Sequence, residues 1–301
     1  MKKFLPWALA LMILLTSCQA MAQEKTVVTS FYPIYALTRN LTEGIEEINV
    51  VNLAAPDTGC LHDYQLLTGD MRTLSSAQAF LINGAGMESY LDTVAAQFPQ
   101  LQVVDASQGI PLFKEEGQQT LVLGTQEETA NAHIWLDVKN AMKMVENRRD
   151  GLQNIFPDQA EAIGKNAEGY LDRLSKLDAE LTQGLADLPR KDIVTFHEAF
   201  PYFANAYGLH VAAVVTHEPG EALSPAQLAQ LTDTVKGLGL PPLFTEPQYP
   251  DLAAKTLAAE TGAKMYSLDP LVTGPMDDGA LTAYEDGMRN NMQILKIALG
   301  E

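Results

Sequence analysis

The chain has 301 residues and is acidic, with a formal net charge of −18. Its length is sufficient for a sizeable core and for two domains. The negative charge argues against nucleic acid as a partner, because phosphates require a basic surface. The hydrophobic fraction of 47% is that of an ordinary globular protein.

The first 22 residues are predicted to be a signal peptide rather than part of the fold. Lys2 and Lys3 precede an apolar run over residues 4–15, which is too short to span a bilayer comfortably. The mature chain is therefore expected outside the cytoplasm, as a cell-membrane lipoprotein or a periplasmic protein of a bacterium.

Two sites of processing are compatible with this segment. Leu15-Thr16-Ser17-Cys18 resembles a bacterial lipobox, in which Cys18 is lipidated and becomes the first residue. Cleavage after Ala20-Met21-Ala22 is the alternative. With Cys18 lipidated or removed, Cys60 is the one remaining cysteine in the sequence, so we expect no intramolecular disulfide.

Strand and helix patterns alternate over residues 24–156. Short apolar runs bounded by turn residues predict strands at residues 25–31, 48–54, 79–84 and 102–107. Strands that alternate with helices are typical of parallel βαβ units, so we predict an N-terminal α/β lobe.

A single long helix is predicted over residues 157–189. Its apolar residues recur at steps of three and four, which is the period of one helical face. Pro157 suits the first turn of a helix, and Pro189 suits a position after its end. At ~1.5 Å per residue the helix would be roughly 45 Å long, a length that suits a rigid link between two lobes.

Alternation resumes over residues 190–301, which predicts a C-terminal α/β lobe. Strands are predicted at residues 193–196, 210–216, 242–246 and 264–269, each followed by a helical pattern. Ser224 and Pro225 open one of these helices as its cap and its first-turn residue. The fold class predicted for the whole chain is two parallel-sheet α/β lobes joined by one backbone helix.

Candidate metal ligands lie where predicted strands end. His62 and His197 each follow a strand, Asp269 ends one, and His133 lies at the connection into the long helical region. Ligands of parallel α/β proteins bind beyond the carboxyl ends of strands. Three imidazoles and one carboxylate make a plausible site for a borderline divalent cation such as zinc, in a cleft with two ligands from each lobe.

Spacing alone does not link positions so far apart in the chain. A single histidine is more often a surface or hydrogen-bonded residue than a metal ligand. The sequence has neither an HExxH nor a CxxC motif, which would indicate a metal site locally. From the residues alone, both interpretations of the histidines stay open. His210 and His217 have no matched partner and are expected to be structural or exposed.

The segments HDYQL, NGAGMESYLD, NAHIWLD, TFHEAFPYFANAYGL, FTEPQYP and YSLDPL follow one another along the chain. In this order they resemble the zinc- and manganese-binding solute-binding proteins of bacterial ABC transporters, from about Val27 to Leu299. The resemblance implies two α/β lobes joined by a rigid helix. It also implies that His62, His133, His197 and Asp269 hold the metal.

The third of these ligands bears on which metal is bound. The resemblance implies His at this position in zinc-type members and often Glu in manganese-type members. His197 therefore favours zinc, because manganese prefers oxygen donors. Glu198 follows directly, and we expect it to support the site or face solvent, since two neighbouring side chains rarely both face one metal.

The chain departs from the family pattern near two of the ligands. Many zinc importers carry a histidine-rich loop before the second ligand, whereas residues 113–133 here are acidic and contain no extra histidine. Leu61 and Ala132 stand where the family usually has Pro. Cys60 is two residues from His62, and its expected role is a small buried thiol, with a thiolate ligand as the alternative.

We expect a monomeric extracytoplasmic binding protein that delivers zinc, or alternatively manganese, to an ABC permease driven by a cytoplasmic ATPase. No bond is made or broken in that role, so we expect no enzyme activity. Metal affinity should fall at acidic pH, because capture requires neutral imidazoles. The long helix predicts local loop movement rather than wide lobe closure. A zinc hydrolase with Glu198 as its base and a surface adhesin are alternatives from other classes.

Overall fold

The computed structural model describes residues 25–61, 64–113, 130–215 and 224–300. In these residues the chain forms two four-stranded sheets, and every strand pairing within them is parallel. Parallel neighbours need crossover connections, which the intervening helices supply. The predicted class of two parallel-sheet α/β lobes is confirmed. The predicted signal peptide, Cys18 and His62 lie outside the described residues.

The two sheets share one topology. Their strand orders are β2-β1-β3-β4 and β6-β5-β7-β8, so in each lobe the chain steps to one side of its first strand and then crosses to the other. Such a reversal leaves a crevice at the carboxyl end of the first strand, where α/β proteins bind ligands. The strands are Lys25–Thr29 (β1), Ile48–Asn52 (β2), Ala79–Ile82 (β3), Gln102–Asp105 (β4), Asp192–Thr195 (β5), His210–Val214 (β6), Leu243–Thr245 (β7) and Met265–Ser267 (β8).

Helices connect and cover the strands. They are Tyr32–Thr42 (α1), Thr68–Ser76 (α2), Leu91–Gln97 (α3), Val138–Ile155 (α4), Ala160–Leu185 (α5), Pro201–Ala206 (α6), Pro225–Gly237 (α7), Leu252–Thr261 (α8) and Ala280–Leu299 (α9). Ser224 caps α7 as predicted: its hydroxyl accepts from the main-chain N–H of Gln227, whose side chain accepts from Ser224 in return. None of the described helices has the length and apolar character of a membrane span.

The longest helix, α5, packs against α1, α4 and α9, and so contacts elements from both halves of the chain. Its 26 residues give a length of about 39 Å. Its stripe of Ile163, Ala167, Tyr170, Leu174, Leu177, Leu181 and Leu185 is fully buried, as the periodicity predicts. The helix is consistent with the predicted link but is shorter than residues 157–189, and the division of the chain into lobes at these positions stays a prediction. Residues Pro157–Gln159 form a separate 3-10 turn, and the helix ends before Ala186.

The sequence pattern does not predict α2 or α4. The stripe of α4 that faces the core contains Met144, Val145 and Leu152, but also Arg148, whose side chain is completely buried. A charged residue at a core position breaks the apolar pattern that would otherwise mark a helix. Burial lowers the pKa of Arg148 to about 9, since the charged guanidinium is out of water.

Hydrogen bonds tie the two lobes together near the long helices. The indole Nε1–H of Trp135 donates to the carbonyl of Pro270 at 2.8 Å, and the hydroxyl of Tyr284 donates to the carbonyl of Trp135 at 2.7 Å. The hydroxyl of Tyr202 donates to the carbonyl of Asn131 at 2.9 Å. All three side chains are buried, so these bonds are shielded from water. The lobes are therefore held in one arrangement by more than the linking helix.

Helix α4 packs closely on β4 through a glycine, which gives a test of the packing. A Cβ at Gly151 would lie 2.7 Å from both Cγ methyl groups of Val104. Because valine is stiff at χ1, we expect Gly151→Ala to lower the free energy of unfolding by about 1–3 kcal/mol in urea denaturation. Gly169→Ala on α5 is the control, since its Cβ would meet nothing within 4 Å. It should leave stability unchanged or raise it by up to about 1 kcal/mol. Equal stabilities of the two variants would contradict the described contact.

Candidate metal centre

Three side chains capable of binding a metal meet between the lobes. One potential ligand atom from each of Cys60, His133 and His197 lies within 4.8 Å of the other two. The two imidazoles pack edge to face with their centroids 4.8 Å apart, and each residue is only 2% exposed. Two of the four predicted ligands are thus brought together, with a cysteine that was expected to be a packed thiol.

His133 is fixed by the loop that precedes it. Its main-chain N–H donates to Oδ1 of Asn131 at 3.0 Å, and its ring Nδ1 lies 3.2 Å from the same oxygen. Because an amide oxygen only accepts, Nδ1 carries the proton and Nε2 keeps its lone pair. The amide Nδ2 of Asn131 donates to the carbonyl of Glu198 at 2.7 Å, which anchors this loop to the second lobe. Glu198 is half-buried, and a supporting role of its side chain stays a prediction.

His197 lies two residues beyond β5, in the crevice expected from the strand order. Its Nδ1 is 3.1 Å from Oε1 of Glu246, the residue that directly follows the neighbouring strand β7. The carboxylate accepts a hydrogen bond from Nδ1–H, so Nε2 is again the nitrogen that carries a lone pair. Histidines oriented in this way by a carboxylate or an amide oxygen are characteristic of metal sites.

Cys60 lies in the loop after β2, with its Sγ 3.4 Å from Nε2 of His133. Its main-chain N–H donates to the hydroxyl of Tyr249 at 3.1 Å, and Tyr249 in turn packs edge to face on His197. Burial raises the pKa of Tyr249 above its ordinary value, and the adjacent Cys60 adds to the shift. The phenol is therefore neutral and joins the loop of the first lobe to the second.

Asp269 is not in this cluster. It follows β8, which lies beyond β7 from β5, so its strand is about 10 Å from that of His197. Its Oδ1 accepts from Nε2 of Gln248 at 2.7 Å and from the main-chain N–H of Leu271 at 2.8 Å. The side chain also lines a cavity of about 150 Å³ between α1 and α9. Ligation by Asp269 stays a prediction, as does ligation by His62.

Glu88 supports the His133 loop from inside the first lobe. Its carboxylate accepts from the main-chain N–H groups of Asn83 at 2.8 Å and Gly84 at 3.1 Å. The amide Nδ2 of Asn83 then donates to the carbonyl of Ala132, next to His133, at 2.9 Å. Burial raises the pKa of Glu88 to about 7 even though these donors favour the charged form.

Three supporting residues were not assigned to the site from the sequence. Asn131, Glu246 and Glu88 stand in the segments NAHIWLD, FTEPQYP and NGAGMESYLD, which carry the family resemblance. Glu246 enters the site through its hydrogen bond to His197. The signal that identifies it is its position directly after a strand, as for His197 and Asp269.

Comparison with known proteins gives matches over most of the chain. A family model described as zinc-uptake complex component A, periplasmic, matches residues 27–298. The zinc-binding protein AdcA of Streptococcus pyogenes serotype M3 is 29% identical over 305 residues and covers 93% of this chain. The chain spans 57% of the length of that relative.

Two further similarities cover nearly whole proteins. The manganese-binding lipoprotein MntA of Halalkalibacterium halodurans is 28% identical over 280 residues, covering 91% of this chain and 88% of the relative. The Zn(II)-bound ZnuA-like domain of Streptococcus pneumoniae AdcA superposes with a TM-score of 0.77 at 28% identity. That similarity covers 92% of this chain and 100% of the domain.

The raised pKa of Glu88 predicts a pH dependence of stability. Folded Glu88 keeps its proton between its ordinary pKa of 4.5 and about 7, where the unfolded chain has lost it. The stability that Glu88 contributes is therefore full below about pH 4.5 and is lost as the pH rises through about 7. Glu88→Gln mimics the protonated form at every pH. The stability of the wild type relative to this variant should fall by about 3 kcal/mol between about pH 4.5 and pH 8.

Urea denaturation at several pH values measures this difference. Glu168→Gln on the exposed face of α5 is the matched control and should run parallel to the wild type. A constant difference between the wild type and Glu88→Gln across this range would show that Glu88 is already ionised in the folded protein.

Proposed function

The chain belongs to the family of periplasmic zinc-uptake component A proteins, and from this premise we propose that it captures a divalent transition metal, zinc above all, for import. The family is one of binding components of an uptake complex rather than of enzymes. The captured ion is cargo, held by the protein and then passed to an ABC permease whose ATPase works in the cytoplasm.

The observation that carries this proposal is the pair of buried imidazoles with matched orientation. His133 and His197 each direct Nδ1 at an oxygen acceptor, and a potential ligand atom of each lies within 4.8 Å of the other and of Cys60. A metal-binding histidine is characteristically oriented in this way, with its other ring nitrogen directed at a carboxylate or another oxygen acceptor. Two preoriented nitrogen donors beside a thiol suit a borderline or soft cation.

Four residues are proposed as the ligand set: His62, His133, His197 and Asp269. His62 is included on the family resemblance and on its sequence position after the second predicted strand. Asp269 is included because it ends a strand at the same edge of the second sheet as His197. Movement of its loop would be needed to bring its carboxylate to the two imidazoles.

Zinc is the better match to these donors, and manganese is the alternative. Relatives named for each metal are similar to the chain. Manganese prefers carboxylate and water oxygens, whereas zinc accepts nitrogen and sulfur. With His133 and His197 as donors the site favours zinc. The described residues show donor groups for a metal, but no comparable feature that supports a surface adhesin role.

The proposed location is outside the cytoplasm, with a lipid on Cys18 holding the mature chain at the membrane. The family description as periplasmic supports the location, and the lipobox supports the anchor. We propose a monomer that meets its permease at the membrane surface. The net charge of −18 is compatible with a cation as cargo and argues against nucleic acid as a partner.

Competitive zinc titration of chelator-stripped protein tests the proposal. His197→Ala should weaken zinc binding about 100-fold or more, because it removes a ligand and leaves Glu246 buried without its partner. His210→Ala is the matched control. His210 is an exposed histidine of the same sheet, paired with Asp192 at the opposite end of the strands. It should stay within about threefold of the wild type. Equal affinities in the two variants, or no stoichiometric zinc in the wild type, would contradict the proposed function.

A further inference from the structure

We propose that Cys60 is itself a ligand of the captured metal, so that the site is a mixed nitrogen and sulfur site. This inference rests on the proposed function and goes beyond the four ligands given by the resemblance. It adds a sulfur donor from the loop after β2 to the two imidazoles. It also specifies the class of cargo as thiophilic divalent ions, with zinc before manganese.

The first support is the distance between donor atoms. Two ligands of a tetrahedral zinc ion, one sulfur at ~2.3 Å and one nitrogen at ~2.05 Å, are about 3.6 Å apart. Cys60 Sγ and His133 Nε2 are 3.4 Å apart, and the donor atom of His197 lies within 4.8 Å of both. The cluster is therefore close to the dimensions of a zinc site, and only a small contraction at His197 is needed.

The second support is that the backbone of Cys60 is fixed against the opposite lobe. The hydroxyl of Tyr249 accepts its main-chain N–H at 3.1 Å. The preceding Gly59 has φ +83°, and a Cβ there would lie 2.6 Å from the same hydroxyl. Only glycine allows both the backbone angle and this close approach. The main chain at Cys60 is therefore fixed by Tyr249, and its thiol lies beside the imidazoles.

The third support is the chemistry of the metal-free contact. Nε2 of His133 has no proton, because Nδ1 carries it toward Asn131, so the thiol of Cys60 is the donor across the 3.4 Å contact. When zinc binds, the S–H bond breaks, a Zn–S bond forms, and the proton leaves to solvent. Nε2 exchanges this hydrogen bond for a bond to the metal. The same two atoms thus serve both states with little movement.

Zinc binds four ligands and at most five. This number limits how many of the remaining donors can bind the same ion. With Cys60, His133 and His197 bound, one or two positions are left for His62 and Asp269. The Oδ1 of Asp269 is already held by Gln248 and by the N–H of Leu271. We therefore expect loss of Cys60 to weaken zinc binding more than manganese binding, because manganese prefers oxygen donors and gains little from sulfur.

Cobalt(II) is the probe, since it enters zinc sites and shows a near-ultraviolet charge-transfer band when bound to thiolate. The full chain carrying Cys18→Ala has Cys60 as its one cysteine. We expect this protein to bind one cobalt ion with the thiolate band, and Cys60→Ser in the same background to bind cobalt without it. In competition titrations, Cys60→Ser should lose about tenfold or more in zinc affinity and change less than about threefold for manganese.

The outcomes separate this inference from the proposed function. Stoichiometric cobalt without a thiolate band in the Cys60-containing chain overturns the role of Cys60 and leaves metal capture standing. Absence of stoichiometric cobalt and zinc overturns both. The spectrum of the Cys60-containing chain does not depend on how any substitution at the site affects folding. Circular dichroism of Cys60→Ser and Cys60→Ala checks that the variants keep the fold.

Discussion

The buried hydrogen bond between His197 and Glu246 is the interaction on which the site depends. Both side chains are at most 5% exposed, and a carboxylate removed from water is costly unless a donor satisfies it. The strand order places them together, because β5 and β7 are neighbours and both end at the same edge. The bond fixes the imidazole, and Tyr249 from the same loop as Glu246 then fixes Cys60. One loop of the second lobe thus positions donors from both lobes.

Most of the fold follows from the sequence pattern, and the exceptions have physical causes. Alternating apolar strands and amphipathic helices predict all eight described strands. Helix α4 is not predicted because the charged residue Arg148 lies in its buried stripe and interrupts the apolar pattern. The burial of Arg148 becomes evident only from the packing of the folded chain. The predicted helix over residues 157–189 is shorter in the structure, because residues Pro157–Gln159 close as a 3-10 turn. Periodicity identifies the face of a helix better than it identifies the ends.

The site is partly predictable for a similar reason. Position after a predicted strand selects His62, His197 and Asp269, and the resemblance joins them with His133 into one ligand set. Strand position and resemblance give no distances between loops. They therefore do not show whether the thiol of Cys60 packs in the core or faces the two imidazoles. Cys60 emerges only when the loop after β2 is folded against Tyr249. Strand order also separates Asp269 from the cluster, which position along the chain does not show.

The central claim is that His133 and His197 hold one ion together. Anomalous diffraction at the zinc edge, from crystals of the zinc-loaded protein, locates that ion directly. We predict a single strong peak about 2.1 Å from Nε2 of each imidazole, with Cys60 Sγ about 2.3 Å away. A peak elsewhere on the molecule, with both rings bound only to Asn131 and Glu246, would contradict it.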